Sequence, residues 1–141
     1  MKTLGGVALN TFAFFVIWFF SAFVSVVIAF RGFGDSSTAE YLRLGTAWFV
    51  CPAIGGYYAP KLTNSFISDL NIDSVVSSFI TIISIIFFAF IAFSIHAYNT
   101  QFGGSISEMV QLALQFASMV IGTLMGKSAV KSNSNQSSLS L

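Results

Sequence analysis

The side chains best suited to chemistry in this chain form one stripe in its last apolar segment. A carboxylate, two amides, a hydroxyl and two glycines recur there at steps of three and four residues: Glu108, Gln111, Gln115, Ser118, Gly122 and Gly126. Residues at these steps share one face of a helix. Amides in hydrocarbon need hydrogen-bond partners, and small residues let a second helix approach closely. The stripe therefore predicts that this helix either contacts another helix, in the same chain or in another copy, or lines a path.

The polar members of the stripe have two interpretations each. Ser105 and Glu108 have the spacing of a capping box, which favours a structural carboxylate at the helix start and at the membrane interface. An acid deeper in the membrane would instead mark an ion or proton path. Gln111 and Gln115 are either hydrogen-bonding contacts between packed helices or, in a ring of copies, the lining of a wet path with little charge selectivity.

Few other residues are candidates for a site. His96 is the sole histidine and is a candidate pH-sensitive group. One histidine and one cysteine, Cys51, do not supply a zinc or haem site unless a second chain contributes ligands, and a lone cysteine excludes an intrachain disulfide. The sequence contains no nucleophile elbow, phosphate loop or paired carboxylates. We therefore expect neither enzyme activity nor a cofactor.

The composition predicts an integral membrane protein. Of its 141 residues, 55% are hydrophobic and only 8% are charged, whereas a soluble domain carries about 25% charged residues. The six lysines and arginines are scattered, so they form no basic surface for nucleic acid. The expected partners are the lipid bilayer and either further copies of the chain, in a homo-oligomer, or another membrane protein.

Four apolar segments predict an all-α membrane protein with four transmembrane helices in an up-down bundle. Each is near the roughly 20 residues that cross a hydrocarbon core. The predicted spans are residues 6–30, 38–59, 75–98 and 106–126, within a transmembrane domain of residues 1–131. Asp73 is the expected N-cap of the third span. Residues 132–141 are polar and predict a disordered tail.

The second predicted span is the least hydrophobic and the least regular. Pro52 removes a backbone donor and is expected to kink the helix. Ala47, Cys51 and Gly55 form a small-residue face suited to helix contact. The pattern fits a kinked helix packed in the bundle centre or a broken, re-entrant segment that lines a cavity. Residues 61–73 then form either a short interfacial helix or an irregular loop.

The distribution of positive charge predicts the orientation in the membrane. The side with both termini has more lysine and arginine than the other: Lys2, Lys61, Lys127 and Lys131 against Arg31 and Arg43. Because positive charge favours the cytoplasmic side, we expect both termini in the cytoplasm, in a bacterial inner membrane or a plasma membrane.

Two functions fit this sequence. The first is an oligomerising or partner-anchoring subunit of a membrane complex, because small-residue faces recur in several spans and no catalytic chemistry is visible. The alternative is a pore-forming protein or small transporter whose path is lined by the fourth helix.

Overall fold

A computed structural model describes residues 1–33, 45–67, 69–99 and 106–140, and these residues are helical apart from short turns. The four α-helices are α1 (Lys2–Phe33), α2 (Cys51–Phe66), α3 (Ile72–Asn99) and α4 (Ile106–Leu139). A π-helical turn, Thr46–Val50, leads directly into α2. The all-helical class with four helices is therefore confirmed. The predicted start of the second span at residue 38 lies outside the described residues.

Three of the helices are long and apolar enough to cross a membrane. The candidate spans are Lys2–Ala29, Ile72–His96 and Met109–Leu139. Large apolar side chains on these helices point outward: Phe19, Phe88 and Ile121 are 70%, 66% and 58% exposed. A protein in water rarely exposes so much contiguous apolar surface, but hydrocarbon accepts it. These findings support the membrane class. In the described residues, α2 with its π-helical turn is shorter than the other three helices.

The helices alternate in direction, and α2 lies between α1 and α4. α2 packs along its length against both of these helices, and α3 contacts α1 and α4. Gly6 near the start of α1 lies against Val75 near the start of α3. At the same end, Lys131 of α4 is 2.7 Å from Asp73 of α3. The start of α1, the end of α2, the start of α3 and the distal part of α4 are thus at one end of the molecule.

Glycine turns the contact between α2 and α4 into a backbone-to-backbone contact. A Cβ atom on Gly122 would collide with the backbone of Ala53, and one on Gly126 would collide with the carbonyl group of Tyr57. From the α2 side, a Cβ atom on Gly56 would lie 2.7 Å from the carbonyl oxygen of Met119. Because a lipid environment offers little hydrophobic drive between helices, such close van der Waals packing is a main source of their association.

The backbone changes helix type immediately before α2, and Pro52 accounts for the change. The N–H of Cys51 donates to the carbonyl of Thr46, five residues earlier, which is the π-helical pattern. Pro52 has no N–H and cannot continue this series. The hydroxyl of Ser118 on α4 donates to the carbonyl of Phe49 inside the turn. The structure therefore shows a helical but altered backbone ahead of Pro52, while a kink at Pro52 stays a prediction.

The end of α2 corrects a predicted boundary. The sequence predicts an end at Ala59, followed by an interfacial helix or a loop, but α2 continues through Pro60 to Phe66. Ala59, Pro60 and Thr63 are buried, and the Thr63 hydroxyl donates to the Ala59 carbonyl at 2.9 Å. Burial of this face and the added hydrogen bond compensate for the N–H that Pro60 lacks.

The start of α3 also differs from the prediction. Asn71, not Asp73, supplies the N-cap, since its Oδ1 accepts a hydrogen bond from the N–H of Ser74 at 3.3 Å. The Asp73 carboxylate instead pairs with Lys131 and with Lys127, which is 3.3 Å away. The sequence pattern identified an acid at a helix start but not the cations that lie opposite it.

The fourth helix is longer than predicted. The sequence predicts that the span ends at Gly126 and that residues 132–141 are disordered, but α4 continues to Leu139. Along this exposed extension, the hydroxyls of Ser137 and Ser138 donate to backbone carbonyls three residues earlier. The ion pairs with Asp73 hold α4 in place at the start of the extension. Because the helix is already nucleated there, each further residue needs only its local hydrogen bonds to continue it.

Substitution of Gly122 tests the packing of α2 against α4. Gly122→Leu forces a side chain into the Ala53 backbone, so we expect a loss of about 1–3 kcal/mol of stability, the usual cost of overpacking. Cys51 is the sole cysteine and is fully buried, so its maleimide modification rate in detergent reports opening of the fold. Gly5→Leu is the control, because nothing lies within 4 Å of a Cβ there. Equal modification rates in both variants would contradict this packing.

Candidate functional site

The predicted stripe on α4 divides between the interior and the surface. Gln115 is 9% exposed and Gly122 is buried, so both lie inside the molecule. Gln111, one turn before Gln115, is exposed. Gly126 is buried against α2, like Gly122. The side chain of Glu108 lies outside the described residues, so its capping and ion-path interpretations stay predictions.

Gln115 lies in the wall of a cavity of about 220 Å³. The cavity is bounded by residues of α1, α2, α3 and α4, and most of its wall is aromatic or aliphatic: Phe14, Trp18, Pro52, Phe87, Phe116 and Met119. A wall so largely apolar suits an apolar guest. It does not form the continuous row of polar groups that water or an ion needs.

The predicted small-residue face of α2 meets α1. Cys51 is fully buried, and its Sγ is 3.5 Å from the hydroxyl of Ser25 on α1. A Cβ atom on Gly55 would lie 3.1 Å from the carbonyl oxygen of Phe14. The side chain of Ala47 lies outside the described residues. Cys51 and Gly55 thus contact α1, while the neighbouring Gly56 contacts α4, so both sides of α2 depend on small residues.

The described residues do not assemble a recognisable metal site around His96. His96 is exposed near the end of α3. Among the described residues, no group of three His, Cys, Asp or Glu side chains could hold a metal ion. A pH-sensitive role for His96 stays a prediction.

Asn10 is a functional candidate that the sequence reasoning missed. It is fully buried in α1, and neither its Nδ2 nor its Oδ1 has a hydrogen-bond partner among the described residues. It lies one turn from Phe14, which packs against Phe79 with ring centroids 5.4 Å apart. A buried, unpaired amide costs about 1–3 kcal/mol. An amide inside a long apolar run was the available signal, because polar residues in a membrane helix usually face the interior.

A second feature missed from the sequence is the charged end of the molecule. Asp73 is shared by Lys127 and Lys131. Lys61 has a different environment: its Nζ donates to the hydroxyl of Tyr57 at 2.8 Å and is 4.2 Å from the centroid of that ring. These lysines are scattered in the sequence, and the fold brings them to one end of the molecule, where their charge suits an anion.

Asn10→Leu tests whether the buried amide lacks a partner. Leucine has a similar volume, so removing the unpaired polar group should stabilise the fold by about 1–3 kcal/mol. The slower maleimide modification of Cys51 in detergent would measure this gain. The same change at the exposed Asn135 should leave the rate unchanged. A destabilised Asn10→Leu variant would show that the amide makes a hydrogen bond in the native state.

Comparisons with protein-family models, with curated proteins and with solved structures found no match to this chain. Its function must therefore be argued from its own residues.

Proposed function

We propose that this membrane protein is an oligomerising or partner-anchoring subunit of a membrane complex. The observation that carries the proposal is Gln111, an exposed amide in the apolar part of the candidate membrane helix Met109–Leu139. An amide that faces hydrocarbon loses the hydrogen bonds that water would supply, and a second polypeptide restores them.

The exposed face of α4 next to Gln111 has the spacing of a helix-packing seam. Its members recur at alternating steps of four and three residues, and each is exposed: Val110, Leu114, Ala117, Ile121 and Leu124. This heptad-like spacing is typical of a face that packs against another helix over several turns. Gln111 and Leu114 are three residues apart, so the amide lies beside the seam.

The glycines of α4 do not serve this contact. Gly122 and Gly126 already pack against α2 of the same chain. An intermolecular contact on α4 therefore depends on the larger apolar residues and on Gln111, not on the GxxxG pattern. The interface of this proposal is accordingly the outer face of α4.

The alternative function, a pore-forming protein or small transporter with a path lined by α4, draws support from one observation. Gln115 lines a half-open cavity of about 220 Å³ between the helices. The remaining wall is almost wholly apolar, which favours a subunit over a conduit for polar solutes.

The proposed subunit has a defined orientation in the membrane and no catalytic role. The lysine-rich end holds the start of α1 and the distal part of α4, so the positive-inside rule supports both termini in the cytoplasm of a bacterial inner or plasma membrane. No catalytic activity is part of the proposed function.

A pair of matched substitutions tests the proposal. Gln111→Leu removes the exposed amide and should weaken assembly about threefold, since interhelical hydrogen bonds in membranes average about 0.6 kcal/mol. Gln115→Leu makes the same chemical change at an inward position and should leave assembly intact. Native mass spectrometry of gently extracted protein measures the oligomer and any bound second protein.

Two results would contradict the proposal. The first is an assembly that Gln111→Leu leaves unchanged, because the exposed amide would then lie outside any contact. The second is a solute flux in liposomes that Gln115→Leu abolishes while assembly is intact, which would establish the alternative function.

A further inference from the structure

A polar cleft of about 440 Å³ opens between the end of α2 and the distal part of α4. Beside the apolar side chain of Val130, one lysine, two amides and three hydroxyls line it, and these polar residues are Lys61, Asn64, Ser65, Asn133, Ser134 and Ser137. Every one of these polar side chains can donate a hydrogen bond. Among the described residues that line the cleft there is no carboxylate. A lysine together with these donors suits an anion.

The charge around the cleft is predominantly positive. A neighbouring cleft of about 430 Å³ shares Asn64 and Ser134 with the first and adds Lys131 and Asp73. Lys127 and Lys131 both pair with Asp73, so two cations share one carboxylate. Lys61 donates to the Tyr57 hydroxyl, a neutral partner, so its charge is not cancelled by that hydrogen bond. A bound anion would therefore be attracted by Lys61 and by the excess charge of the neighbouring pair.

The position of the cleft along the helices matches that of lipid headgroups. The apolar part of α4 ends near Gly126, and the cleft residues Asn133, Ser134 and Ser137 follow in its polar extension. Asp73 marks the same level on α3, directly before the apolar run that begins at Val75. Polar groups just beyond an apolar span lie where phospholipid phosphates are found.

From this geometry we infer that the cleft between α2 and α4 binds the phosphate group of an anionic phospholipid. The Lys61 ammonium group supplies the main attraction, and the hydroxyl of Ser134 and the amides of Asn64 and Asn133 donate to the phosphate oxygens. The inference is independent of the proposed subunit function, because it concerns the charged end of the molecule and not the outer face of α4.

Lipid titration in native mass spectrometry tests the inference, with the full chain in detergent. Phosphatidylglycerol should bind more tightly than phosphatidylcholine with the same acyl chains. Lys61→Gln should weaken phosphatidylglycerol binding about fivefold, the usual contribution of one lysine near an anionic surface. Ser134→Ala, at an exposed position, should weaken it by a smaller factor. Lys2→Gln removes an exposed lysine at the same end but outside the cleft and should have no effect.

Asp73→Asn gives a test in the opposite direction. It releases Lys127 and Lys131 from their shared carboxylate, so phosphatidylglycerol affinity should rise. Protection of Cys51 from maleimide confirms that each variant is folded. A fall in affinity in folded Asp73→Asn, or equal losses in Lys61→Gln and Lys2→Gln, would overturn the inference, as would equal affinities for the two lipids.

Inorganic phosphate at matched ionic strength identifies the source of the phosphate group. Phosphatidylglycerol that stays bound in excess inorganic phosphate supports a lipid ligand. Displacement of the lipid by free phosphate, beyond the effect of sodium chloride, would overturn the assignment to a phospholipid.

Discussion

The close approach of two backbones is the constraint on which the rest of this structure depends. Gly56, Gly122 and Gly126 bring α2 and α4 together without intervening side chains. Hydrocarbon solvates apolar side chains well, so helices in a membrane gain stability mainly from contacts that lipid tails cannot reproduce. The same approach brings Ser118 to the carbonyl of Phe49 and thereby gives the π-helical turn an external hydrogen-bond donor.

Small residues on both sides of α2 explain how this short helix packs between α1 and α4. Cys51 and Gly55 meet α1, whereas Gly56 meets α4. Bulky side chains on α2 would push it away from α1 and α4, the two helices that α3 also contacts. Aromatic rings make the contact between α3 and α4, where Phe87 and Phe116 stack with 4.5 Å between their centroids.

Helical class and membrane character could be predicted from the sequence, because both follow from local composition and period. The contact partner of Gly122 and Gly126 could not, since a GxxxG pattern is the same whether its partner is another helix of the chain or another copy. The burial of Asn10 depends on helices distant in sequence, and its only local signal is an amide inside a long apolar run. Asn71 and Asp73 are both residue types preferred at an N-cap, so the sequence does not distinguish them. In the structure Asn71 caps α3, because Asp73 pairs with the distant Lys131 of α4.

The ion pair at Asp73 has a consequence for biosynthesis. Lys127 and Lys131 follow Asp73 by a whole helical hairpin, and a nascent chain emerges from its N-terminus onward. The α3 segment therefore enters the bilayer with its carboxylate unpaired by these lysines. The ion pair forms only after α4 has been synthesised. It therefore joins the last helix to helices that are already inserted.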